Sequence, residues 1–292
     1  MKNICNDWDI REYPYIDFAP GEDAKEENRA WQGCPSIAVT RKGRLFAAWY
    51  TGGAFEPCLY NYNVLTMSDD SGASWSQPIL AVGTDKVNRL RKIDAELWVN
   101  KVDNSLWVMW TVSPYTEKST PATIKTKFDF DYHREFLYTE VMICKDPDAD
   151  ELIWEKPRTM CEGFMRNKPI VTSSGTIIAP AYDYQGFQYM LRVSTDGGQN
   201  FCNVAVNGKP DACIFDEITV CELSPLNLRF LARTNRGYYV YSDSFDDGCT
   251  WSEAKEYEKA PGSRCFFGKL GNGTVAYVRN VSDTQRNGMK IC

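Results

Sequence analysis

One eight-residue turn pattern recurs along the chain and constrains the fold more than any other feature. Ser68-Asp69-Asp70-Ser71-Gly72-Ala73-Ser74-Trp75, Ser194-Thr195-Asp196-Gly197-Gly198-Gln199-Asn200-Phe201 and Ser244-Phe245-Asp246-Asp247-Gly248-Cys249-Thr250-Trp251 all read Ser-x-Asp-x-Gly-x-(Ser/Thr/Asn)-aromatic. A degenerate fourth copy runs from Cys144 to Trp154, where Trp154-Glu155-Lys156-Pro157 parallels Trp75-Ser76-Gln77-Pro78. Such a pattern makes sense as a hairpin turn. The Asp carboxylate caps backbone N–H groups, the Gly supplies a positive φ, and the aromatic ring tucks under the turn. The anchors at 75, 154, 201 and 251 are separated by 79, 47 and 50 residues, the first step carrying an insertion. A period near 50 predicts a repeat built from small sheets, such as a propeller blade.

A second element recurs beside it, a turn followed by an apolar strand. It is found at Lys42–Trp49, Asn104–Trp110, Ser174–Pro180, Leu228–Ala232 and Asn272–Tyr277. These segments are rich in β-branched and aromatic residues, and their near-continuous apolar character predicts inner strands buried on both faces. Helical periodicity is scarce, with one short helix expected over Glu26–Trp31. Five such segments give five blade starts, and the expectation is an all-β propeller whose last blade is incomplete at the C-terminus.

Composition narrows the chemistry. The chain of 292 residues is 43% hydrophobic and 25% charged, with a formal net charge of −6. That is a globular composition, and an acidic one with no field to attract a phosphate backbone, so no nucleic-acid partner is expected. No apolar run nears the roughly 18 residues of a membrane span, so no membrane partner is expected. The first residues lack the apolar centre of a secretory signal, which makes a cytoplasmic location the expectation and leaves an extracellular one open. The 11 cysteines are odd in number and form no C-x-x-C pair. They read as free thiols, without a zinc ribbon or a redox motif. His133 is the only histidine, and no G-x-S-x-G elbow accompanies it, so it reads as structural and not as part of a serine triad. Asp146-Pro147-Asp148-Ala149-Asp150-Glu151 mimics a calcium loop but has Glu151 where the loop needs glycine, and reads as a solvated acidic turn. Sequons at Asn272 and Asn280 carry no weight without a signal segment. No cofactor and no metal site is expected.

The repeated turns resemble the Asp-box, or BNR, repeat of the sialidase superfamily, over residues 29 to 292. The resemblance implies a six-bladed propeller preceded by an N-terminal extension, residues 1–28, with the active site on the axis. Members of that superfamily bind the sialic acid carboxylate with three arginines. They use a tyrosine nucleophile activated by a glutamate, and an aspartate as acid/base. A neutral phenol is used because a carboxylate nucleophile would be repelled by the substrate's own carboxylate.

The closest likeness lies in Asp216-Glu217-Ile218-Thr219-Val220-Cys221-Glu222-Leu223 and Leu228-Arg229-Phe230-Leu231-Ala232-Arg233-Thr234-Asn235-Arg236-Gly237. It implies Glu217 as the activating carboxylate and Arg233 as a carboxylate-binding arginine, with Arg236 beside it. A guanidinium suits that task because it stays charged and binds a carboxylate bidentately. Gln285-Arg286-Asn287-Gly288-Met289-Lys290 resembles the strand that supplies another arginine, which makes Arg286 its counterpart. The chain also departs from the pattern. The Arg-Ile-Pro motif of the first blade is replaced by Gly33-Cys34-Pro35, leaving Gln32 to hydrogen-bond a sugar. The acid/base loop is replaced by Thr51–Pro57, where Glu56 can substitute, and Asp94 is the other acid/base candidate. Arg91, close before Asp94, and Asn167 and Lys168, close before Pro169, occupy equivalent places where they could line the pocket. Only Asn287 to Cys292 follow Arg286, so no tyrosine matches the nucleophile.

The resemblance therefore implies an exo-glycosidase that hydrolyses terminal sialic acid or another acidic sugar from a glycan. Two alternatives stay open. One is a non-catalytic glycan-binding propeller or an inactive truncated homologue; the other is a hydrolase or lyase directed at uronic acids.

Overall fold

Strands joined by tight turns, with three short 3-10 helices, make up the regular structure of the described residues. The computed structural model describes residues 2–53, 56, 60–114, 138–183, 188–211, 213 and 216–292. His133 and most of the 54–59 segment lie outside the described residues. Contacts divide the chain into two compact units, residues 1–159 and 160–292.

The first unit holds two sheets. One contains β2 (Ile16–Asp17), β3 (Trp31–Val39), β4 (Leu45–Gly52), β5 (Asn61–Ser68) and β6 (Leu80–Val82), in the order β2-β6-β5-β4-β3. The other contains β1 (Lys2–Cys5), β7 (Leu90–Val99), β8 (Leu106–Pro114), β9 (Tyr138–Cys144) and β10 (Glu151–Trp154), in the order β1-β10-β9-β8-β7. Their shared core gathers Phe46, Ala48, Leu65, Leu97, Val108, Trp110 and Trp154. β11 (Arg158–Glu162) spans the division between the units.

The second unit holds three sheets. They are β12 (Ile170–Val171) to β15 (Cys202–Val206), with β13 (Ile177–Ala179) and β14 (Tyr189–Ser194) between; β16 (Thr219–Ser224), β17 (Asn227–Ala232), β18 (Tyr238–Ser244) and β19 (Lys255–Lys259); and β20 (Phe266–Lys269), β21 (Val275–Asn280) and β22 (Met289–Ile291). Each is an antiparallel meander whose strands pair in chain order. Tyr189, Phe230 and Trp251 pack ring against ring at 5.5 and 5.3 Å between centroids.

The five apolar segments read from the sequence become β4, β8, β13, β17 and β21, which is the second strand of every sheet and not the first. The Asp-box turns join third to fourth strands. In each, the serine hydroxyl donates to the Asp carboxylate and accepts the glycine N–H: Ser68 at 2.8 and 2.9 Å, Ser194 at 2.7 and 2.9 Å, Ser244 at 2.9 and 2.9 Å. Gly72, Gly198 and Gly248 have φ of +88°, +85° and +86°, where a Cβ would be strained. The degenerate copy is a hairpin too, pairing Trp154 with Cys144. Trp251 donates to the Gly248 carbonyl at 3.1 Å, whereas Trp75 is 40% exposed, so the aromatic does not tuck under every turn equally.

Residues 1–28 are woven into the first unit. β1 runs parallel to β10 and β2 antiparallel to β6, extending both sheets at their outer edges. Asn3 donates to the Ile79 carbonyl at 2.8 Å and accepts from the Trp154 indole at 2.9 Å. The expected helix near Glu26 is a single turn of 3-10 helix, Glu26–Asn28. The acidic Asp146–Glu151 turn is also structural: Asp148 accepts from Thr40 and from Asn104, and Arg44 donates to the Pro147 and Ala149 carbonyls.

Candidate functional site

The first strands of three sheets share an unusual feature. Cys34 in β3, Asp94 in β7 and Glu217 just before β16 all adopt positive φ, at 53°, 57° and 37°. For side chains with a Cβ that region is costly, and such strain persists where the surroundings impose it and often where function uses it. In β3 and β7 the cause is visible. The register shifts between Gly33 and Ser36, and between Ile93 and Glu96, so each strand carries a bulge that aims one side chain out of the ladder.

In the second unit this geometry organises an ionic group around Glu217. Glu217 accepts from Arg233 Nη1 at 2.8 Å, and Arg166 Nε lies 3.9 Å from its other carboxylate oxygen. The three side chains are largely buried, which strengthens their attraction over that of a solvated pair. Asn167 fixes the strained backbone, donating to the Glu217 and Ile218 carbonyls at 3.3 and 2.8 Å. Arg264 donates to the Arg166 carbonyl at 2.7 Å. Behind Glu217, the Arg233 N–H donates to the Asp216 carbonyl at 2.7 Å. The Asp216 carboxylate, with no exposed surface, accepts from Lys209 Nζ at 2.7 Å. Burial pushes the Asp216 carboxyl up to about 7 against the opposing pull of the Lys209 ammonium.

In the first unit the bulges gather a different set. Cys34, Glu56 and Asp94 bring one thiol and two carboxylates within 4.8 Å of one another, and the Cys34 thiol donates to Glu56 Oε2 at 3.8 Å. Gln32 is exposed and accepts from the Trp49 indole at 2.9 Å. The Trp31 ring lies over Gly33, so close that a Cβ there would meet it at 2.7 Å. The place where the resemblance expects an arginine is thus covered by an indole.

The other sequence candidates take other places. Arg91 is 1% exposed and donates to the Ser113 hydroxyl at 3.0 Å within the second sheet. Lys168 is half-buried. Arg236 donates to the Asp211 carbonyl. Arg286 is exposed and donates to the Gly262 carbonyl at 2.6 Å; among the described residues no ion pair joins it to Glu217. Of the expected grouping of Glu217, Arg233 and Arg286, an ion pair joins the first two, and Arg166 lies beside Glu217.

These positions can be set against known proteins. The family model for the BNR repeat-like domain matches residues 43–292. The chain belongs to that family. No curated protein matches the sequence. Among solved structures, a mutant of the NanB sialidase from Streptococcus pneumoniae superposes with a TM-score of 0.66 at 14% identity, covering 95% of this chain and 60% of that one. Trypanosoma rangeli sialidase in complex with the inhibitor DANA gives 0.61 at 17% identity, over 85% of this chain and 43% of that one. A protein of unknown function from Dyadobacter fermentans gives 0.65 at 17% identity, over 91% and 79%. At these identities the likeness is one of fold, and this BNR repeat protein has the β-propeller fold of the sialidases. It spans about three fifths of the NanB structures it matches.

Arg166 is the member of this ionic group that the sequence hid. Its segment stood out, but Asn167 and Lys168 looked the better pocket residues. The usable signal was its place three residues before Pro169 at the start of a sheet, as Gln32 stands three residues before Pro35 in the first sheet. Cys34 was hidden for a different reason, since nothing in a lone Gly-Cys-Pro marks a bulge.

Proposed function

We propose that this protein is a sialidase-type exo-glycosidase that removes a terminal acidic sugar from a glycan. The observation that carries the reading is the group Glu217–Arg233–Arg166, a carboxylate on a strained backbone held between two guanidinium groups. Arginines in this setting suit a sugar carboxylate, because a guanidinium keeps its charge when buried and matches the two oxygens with two N–H groups. Arg233 binds that carboxylate, with Arg166 and Arg286 as further cations. Glu217 takes the proton from an attacking water molecule and faces the positive charge that develops at the anomeric carbon.

One observation favours a second substrate class. The Trp31 indole lies against Gly33, where the resemblance expects an arginine. A uronic acid carries one carboxylate, as sialic acid does, on a smaller sugar, and the two guanidinium groups beside Glu217 suit that carboxylate as well.

The test is turnover of a fluorogenic sialoside and a fluorogenic glucuronide by the full chain. Glu217→Gln, with an unchanged circular dichroism spectrum, is expected to lower kcat by about 100-fold or more, the usual worth of acid–base catalysis. Turnover indifferent to that substitution would overturn the assignment. Binding of both sugars without any turnover would make the protein a glycan-binding module.

A further inference from the structure

We propose that Cys34, Glu56 and Asp94 form a binding site for a divalent cation of the zinc class. The three come from separate segments: β3, the turn after β4, and β7. Their donor atoms lie within 4.8 Å of one another, one sulfur and two carboxylates, with the thiol sulfur 3.8 Å from Glu56 Oε2. A tetrahedral zinc with bonds of about 2.3 Å to sulfur and about 2.0 Å to oxygen places those two ligand atoms about 3.5 Å apart. The Cys34–Glu56 spacing needs a shift of only about 0.3 Å to receive the ion, and the Asp94 oxygen stands within 4.8 Å of both.

Placement supports the same conclusion. Cys34 and Asp94 each stand on a bulge with a left-handed backbone, and both bulges aim their side chains out of the ladder and toward each other. Asp94 is 9% exposed and Cys34 and Glu56 are half-buried, so the group is recessed and not a solvated acidic patch. One thiol and two carboxylates held this close repel one another once ionised, and a doubly charged cation relieves that repulsion. The sulfur decides the kind of cation. Magnesium and calcium take oxygen ligands, whereas a thiolate selects zinc and its softer relatives. Binding breaks the Cys34 S–H bond, releases that proton to solvent and forms a metal–sulfur bond, with no change of oxidation state. Three protein ligands leave the fourth position to water.

The site includes both carboxylates that the resemblance offers as acid/base candidates. Binding itself is measured without turnover, so failure of the glycosidase reading leaves this proposal standing or falling on its own data.

The experiment titrates the full chain with Zn2+ against a chromophoric chelator, and with Co2+ as a spectroscopic probe. One equivalent of Zn2+ and a sulfur-to-cobalt charge-transfer band are expected. Cys34→Ser should remove the band and weaken Zn2+ binding tenfold or more, as ligand-shell losses commonly do. A triple variant at the exposed thiols, Cys202→Ser, Cys249→Ser and Cys292→Ser, should keep both. An excess of Mg2+ should not compete. In the unmutated protein, Zn2+ should protect Cys34 from alkylation, read by mass spectrometry, which holds even if Cys34→Ser does not fold. No band, a band that survives Cys34→Ser, a band lost in the triple variant, or Cys34 alkylated equally with and without Zn2+ would overturn the proposal.

Discussion

Glu217 is held from every side. Its backbone φ of 37° is fixed by Asn167, its carboxylate by Arg233, and the residue before it by the Lys209–Asp216 pair. Removing a bidentate-capable guanidinium while keeping the charge separates geometry from electrostatics. Arg233→Lys is expected to lower kcat/KM for an acidic glycoside by about 10- to 100-fold, consistent with the roughly 1.5–3 kcal/mol of a charge-assisted hydrogen bond. Steady-state kinetics checks it. Asn167→Ala should lower kcat more than it raises KM, because it frees the backbone that aims Glu217 while leaving the arginines in place. At this scale the sequence was partly legible. Glu217 and Arg233 could be found because they flank a recognisable turn repeat. Arg166 and the Lys209–Asp216 pair could not, because their partners are distant in the chain and join only through the fold. Arg286 was read from a strand-like motif, and its side chain is exposed and donates to the Gly262 carbonyl.

The Asp-box is the element whose physics is clearest. Asp70 accepts from the Ser74 hydroxyl and amide and from the Ser68 hydroxyl, and these bonds hold its carboxyl down at about 2. The Asn200 amide and side chain lower Asp196, and the Thr250 hydroxyl lowers Asp246. A carboxyl whose folded pKa lies below its unfolded value stabilises the protein above the unfolded value of 3.8, and that stability is lost as pH falls through the folded value. Thermal unfolding should therefore lose little between about pH 7 and pH 5 from these groups and fall between about pH 4 and pH 2. Asp70→Asn with Asp246→Asn should flatten that fall, which a series of melting curves reads directly. The repeat announced these turns in the sequence, yet the apolar segments taken for inner strands are the second strands of their sheets. Burial on both faces occurs wherever a strand has neighbours on each side and sheets on each face, so apolar continuity does not tell the first position from the second.

Across the molecule, each unit has its own core, and the first depends on its N-terminal segment. The resemblance, which begins at residue 29, set residues 1–28 apart as an extension. In the structure β1 and β2 complete the edges of two sheets, and Asn3 bridges Ile79 and Trp154. Trp154 is fully buried, so Trp154→Ala should cost about 3–5 kcal/mol and release β1 with it. Denaturant unfolding measures the cost, and faster amide exchange in residues 2–5 would show the release. The most direct test of the central claim, that Arg233 beside Glu217 receives the carboxylate of a sugar, is calorimetric binding of an acidic monosaccharide glycoside beside its methyl ester. The acid should bind at least about tenfold more tightly than the ester, the worth of one charge-assisted contact, and Arg233→Ala should erase the difference. Equal binding of acid and ester, or a preference untouched by Arg233→Ala, would contradict the account.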